Sequence, residues 1–147
     1  MSRLIDVTLA LDTSIFAAGD VICDTATLSA VTDVAGGCAM LESLTVIDED
    51  DQAGVIDFYF FRVTQSLGTK NAAPDISDAN ARDCLGYVSV AAADYKDLGG
   101  VKVATIKNIQ LVLKSSGSSR DCFLGAVVLS GTPTYTASGL KLRLGVS

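Results

Sequence analysis

Between Asp57 and Val63 the chain reads DFYFFRV, which places four of its nine aromatic residues in seven positions: Phe58, Tyr59, Phe60 and Phe61. Aromatic side chains suit a pleated surface, so a run this dense in them predicts a strand. Alternation sets Phe58, Phe60 and Arg62 on one face and Tyr59, Phe61 and Val63 on the other. Both faces are large and mostly apolar, so both are expected to meet protein. Such a strand belongs at the centre of a sandwich or at a subunit contact, and plain core is the simpler of the two.

The rest of the chain repeats the period of two. Ile5, Val7, Leu9 and Leu11 share one face of a half-buried strand, with Asp6, Thr8 and Ala10 on the other. Gly19-Asp20 marks a turn, and Val21 to Cys23 reads as a short strand after it. Thr25 to Gly37 shows little periodicity and reads as irregular edge structure or an extended arm. Cys38 to Ile47 is an apolar strand whose alternation slips near Ser43, where a bulge is expected. The acidic group Asp48, Glu49, Asp50 and Asp51 follows. It reads as a solvated connection between antiparallel neighbours, because it lacks the alternating ligands, central glycine and distal glutamate of a calcium loop. Gln65 to Pro74 is a long polar loop. Asp75 or Ser77 can cap a short helix near Ser77 to Cys84, ended by Gly86. Tyr87 to Ala91 reads as a strand and Asp94 to Gly100 as a loop. Val101 and Val103, then Ile109, Leu111 and Leu113, alternate with more polar neighbours. Ser115 to Arg120, SSGSSR, reads as a flexible hairpin-type turn before the apolar strand Cys122 to Leu129. Leu140, Leu142 and Leu144 form a last strand, apolar inside and basic outside. About eight short strands separated by turn signals predict an all-β fold, an antiparallel β-sandwich or jelly-roll-like arrangement with one short helix. The length of 147 residues predicts a single domain over 1–147.

Several functions are argued against. The net charge of -6, with only 11 scattered basic residues, disfavours nucleic acid as a partner. No apolar window approaches the roughly 20 residues of a membrane helix. Asp6 and Thr8 interrupt the apolar run at the N-terminus, so it reads as a strand rather than a secretory signal, which predicts cytoplasmic synthesis. Cys23, Cys38, Cys84 and Cys122 are separated by 15, 46 and 38 residues, and the chain has no histidine. That spacing favours free buried thiols over one disulfide and over a zinc site. Without histidine a Ser-His-Asp or Cys-His site cannot form within the chain. There is no phosphate loop or nucleophile elbow. Without tryptophan a sugar platform is poorly supplied; Phe16, Tyr95 and Tyr135 are the loop aromatics that could serve one. The expectation is no enzyme, no catalytic or metal site and no cofactor.

The stretch Asp12 to Thr25, DTSIFAAGDVICDT, resembles one near the N-terminus of a family of small tailed-phage virion proteins. The matching residues are Asp12, Thr13, Phe16, Gly19, Asp20 and Val21. An aromatic strand before a polar loop (Asp57 to Pro74), a short helix leading into a Gly-Tyr-Val strand (Ser77 to Val90), and the ending TPTYTASGLKLRL are similar to that family in the same order. Phe16 stands where tyrosine is more usual, and the four cysteines depart from the pattern. The resemblance implies a virion structural protein of a bacteriophage, first of all a capsid decoration or cement protein on the outer head surface. It implies the major capsid protein as partner and a homo-oligomer, trimer before dimer. Another particle component (tail or head-completion protein) and a carbohydrate-binding sandwich on the particle are the alternatives.

Overall fold

The computed structural model describes residues 2–147. Its elements in chain order are β1 (Arg3–Thr8), β2 (Ala26–Leu28), β3 (Cys38–Asp48), β4 (Val55–Phe61), α1 (Asp78–Ala81), β5 (Cys84–Val90), a 3-10 turn (Ala92–Asp94), β6 (Tyr95–Asp97), β7 (Lys102–Ile106), β8 (Leu111–Lys114), β9 (Cys122–Ser130) and β10 (Leu140–Val146). All strand pairs are antiparallel, and they form two sheets packed as a β-sandwich. One sheet runs β1-β10-β3-β7-β6, with β8 also on β3; the other runs β2-β9-β4-β5. β7 and β8 share one side of β3, because β10 occupies the other along Leu41 to Asp48.

The aromatic run is the central strand β4, flanked by β9 and β5. Ile56, Phe58 and Phe60 point inward and are fully buried, in one core with Leu41, Leu44 and Val46 of β3 and Leu142 and Leu144 of β10. Burying each such side chain contributes about 1.5–3 kcal/mol. The outer face of the six-stranded sheet is mostly polar: Thr45 and Thr105 hydroxyls meet at 3.2 Å and Arg143 pairs with Asp6 at 2.7 Å, while Leu4 and Val112 are exposed apolar residues on it.

The period-two reading holds, with local exceptions. The bulge expected near Ser43 is present: Leu41 and Ser43 oppose the consecutive residues Val146 and Gly145, leaving Glu42 extra. Ser77 caps α1, its hydroxyl accepting the Asn80 N–H at 3.2 Å. The helix ends at Arg82, not Gly86, because β5 already begins at Cys84. β2 lies inside the segment expected to be irregular, and β6 inside one read as loop. Both are three residues long, too short to display a period.

Two connections differ from expectation in kind. Asp48 to Gly54 joins β3 to β4, and Ser115 to Asp121 joins β8 to β9; each crosses from one sheet to the other. Neither links antiparallel neighbours. Turn residues report that the chain reverses, not which sheet receives it. Nor is SSGSSR loose. Ser115 is buried and its hydroxyl meets that of Thr32 at 2.8 Å, while Arg120 Nε donates to the Thr32 carbonyl at 2.8 Å.

Candidate functional site: an apolar groove on the four-stranded sheet

On β4, Tyr59 and Phe61 point away from the sandwich core. Phe61 is shielded from water and Tyr59 partly so, because the segment after β4 folds back over them. Leu67 and Ile76 are the only large apolar residues between Thr64 and Asp83, and both are used as anchors. Leu67 packs with Phe61, Val21 and Val127 in a second small core, and Tyr59, Ile76 and Phe123 lie against it. Gly125 of β9 makes this possible: a Cβ there would stand 2.6 Å from Leu67 Cδ1.

The cover is incomplete. Between it and the sheet runs an open groove of about 260 Å³, floored by Tyr59, Phe61 and Val127 and walled by Leu67, Pro74, Ile76, Ala81 and Cys84. Beside it Tyr59 stacks obliquely on Tyr87 with ring centroids 5.7 Å apart. Tyr87 is 61% exposed. The one charge on this face is Asp57, only 8% exposed, which accepts hydrogen bonds from the hydroxyls of Ser89 and Tyr59. Partial burial, followed by the Asp57 carboxylate, raises the Tyr59 pKa, so the phenol stays neutral and able to donate. The face is apolar and aromatic, with hydroxyls at its margin.

Asp57 to Pro74 and Ser77 to Val90, which share in the phage resemblance, supply most of the groove, whereas the matching residues of Asp12 to Thr25 are structural. Phe16 is buried against Tyr135, with ring centroids 6.2 Å apart. Gly19 takes φ +93, which allows its N–H to reach the Val128 carbonyl at 2.7 Å. The Asp20 carboxylate accepts the Ala17 N–H, and Asp12 accepts from Asn71 Nδ2 at 2.9 Å. Val21 is buried and bridges to Val127. Thr13 makes no hydrogen bond that assigns it a role.

The three aromatics offered as a sugar platform are not surface groups. Phe16, Tyr95 and Tyr135 are all buried, and Tyr95 donates to the Gly54 carbonyl at 2.7 Å. Burial raises the phenol pKa of both tyrosines. The cysteines are unpaired, but only Cys23 and Cys122 are buried; Cys38 and Cys84 are exposed. Both sit at strand starts, where the flanking loop does not cover them.

The acidic connection is solvated only in part: Glu49 and Asp51 are exposed and Asp50 is half-buried, but Asp48 is not. Asp48 is fully buried and accepts three backbone N–H groups, from Asp50 at 3.0 Å, Gln52 at 2.8 Å and Ala53 at 2.7 Å. Asp50 accepts the Thr136 N–H at 2.8 Å, tying the connection to the loop before β10. Asp51 pairs with Lys102 at 2.7 Å and Glu49 with Lys141. The four carboxylates hold backbone and lysines in place.

No protein-family model matches the chain, and no curated protein matches it. Solved structures with some likeness include chains from viruses. A chain of infectious bursal disease virus, Gx strain, is 13% identical with a TM-score of 0.35, over 99% of this chain and 31% of that one. This chain thus spans about a third of that one's length. A chain of Desmodium yellow mottle tymovirus is 9% identical with a TM-score of 0.29, over 99% and 79%. A chain of a marine algae virus of the order Picornavirales is 14% identical with a TM-score of 0.27, over 99% and 66%. Scores this low carry nothing about role.

Proposed function

We propose that this chain is a tailed-phage virion structural protein, a decoration protein that binds the major capsid protein on the outer head surface and reinforces the shell. The observation that carries the reading is the outer face of the four-stranded sheet. Its groove and Tyr59–Tyr87 pair remain open after the sandwich core is closed, whereas the outer face of the other sheet mixes ion pairs and hydroxyls with the exposed side chains of Leu4 and Val112. An apolar concavity beside exposed aromatics suits a protein contact. The ordered resemblance of motifs to the phage family supports the same reading. Decoration needs no catalysis and no cofactor. Each oligomer would hold several shell subunits at once, so modest contacts add and the joint resists the pressure of packed DNA. The chain's negative charge keeps it off that DNA.

The test is imaging of purified heads with a copy count. Ordered density on the outer surface at hundreds of copies is expected, as is loss of binding by Ala81→Arg, which places a charge on the exposed groove wall. Absence from heads, or confinement to the tail, would overturn the proposal.

A further inference from the structure

The ends of the two sheets are not equally protected. An open strand edge offers unpaired N–H and C=O groups to any other strand, and proteins blunt such edges with charges or with very short strands. β1 carries Arg3 and Asp6, β6 carries Lys96 and Asp97, β8 ends on Lys114, and β2 is three residues long. β5 is different. It is seven residues long, CLGYVSV, without one charged residue, and it pairs only with β4. A bulge at Leu85 disturbs its first half, since Cys84 and Gly86 oppose the consecutive residues Phe61 and Phe60. From Gly86 to Val90 the register is regular.

We propose that β5 pairs with β5 of a second copy, antiparallel about a two-fold axis, joining two four-stranded sheets into one of eight strands. This rests on the proposed virion role and names the contact by which the oligomer forms. A second copy fits better than a foreign segment for two reasons on this surface. Two-fold pairing sets a strand against its own copy, and an uncharged strand does so without bringing like charges together in a chain of net charge -6. And Tyr87, exposed and already stacked on Tyr59, stands on the outer face of the joining strand. Pairing therefore brings two tyrosine pairs together and makes the two grooves parts of one face. The assembly is a dimer, in place of the trimer first expected from the sequence.

Sedimentation of the full chain over a range of concentrations, with amide hydrogen exchange, tests this. Expected are a dimer and a protection of β5 amides that increases with concentration. Tyr87→Lys, at an exposed side chain, should weaken the dimer at least about tenfold, roughly 1.4 kcal/mol, with the circular dichroism unchanged. Leu98→Lys, another exposed apolar position, should leave it intact. A monomer throughout, a trimer, protection confined to other strands, or a dimer indifferent to Tyr87→Lys would each overturn the inference. Head binding by a monomeric wild-type chain would overturn this pairing and leave the decoration reading standing. A dimer paired through β5 that never binds heads would do the reverse.

Discussion

Among single residues, Asp48 and the two buried thiols have the clearest consequences. The Asp48 carboxylate satisfies three converging backbone donors, so Asp48→Ala leaves them without it in a partly buried site. A loss of about 3 kcal/mol in urea unfolding is expected, with part restored by Asp48→Asn, whose amide oxygen still accepts. Burial pushes the Cys23 thiol from 9.0 up to about 12 and that of Cys122 from 9.0 up to about 11. Native protein should therefore be alkylated at Cys38 and Cys84 alone, and at all four cysteines once denatured, as read by mass. The sign for stability follows. The neutral thiols favour the fold, so their contribution is complete below pH 9.0, the unfolded value, and is lost as pH rises through about 11 and 12. A fall in melting temperature confined to that alkaline range should be smaller in Cys23→Ser.

Between elements, the arrangement to test is the cover over the four-stranded sheet. Gly125→Val would push Leu67 off the floor it rests on. The sandwich core lies on the other side of β9, so the segment between β4 and α1 should become cleavable by protease while the melting temperature falls by only a few degrees, consistent with about 1–2 kcal/mol. This cover also marks where sequence reasoning stops. β4, β9 and β10 are legible because seven to nine residues show their period and their inner faces are nearly all apolar. Ser77 and the slip near Ser43 announce the helix cap and the bulge by local chemistry. Leu67 and Ile76 are visible as apolar residues in a polar run, but nothing local says which strand they cover. Pairing across sheets is equally silent: the acidic connection and SSGSSR look like hairpin turns because the chemistry of a reversal is the same wherever the next strand goes. The groove is a product of those long-range choices, so only its floor, Tyr59 and Phe61, could be read in advance.

For the molecule, the order of strands matters more than their number. β10 lies between β1 and β3, although it follows every other strand in sequence. Arg3 pairs with Val146, and Met40 exchanges both backbone bonds with Ser147. Refolding should accordingly be slow for this size, milliseconds to seconds, in stopped-flow fluorescence of the tyrosines. A chain ending before Leu140 should remain protease-sensitive throughout. Until β10 arrives, β1 and β3 frame a slot one strand wide, and the residue types that fill it, Leu140, Leu142, Leu144 and Val146, are the same in every copy. At high local concentration, a neighbour's last strand can enter that slot as well as the chain's own. Strand exchange through β10 is thus the misassembly this topology favours, and rapid completion of each chain is its natural protection.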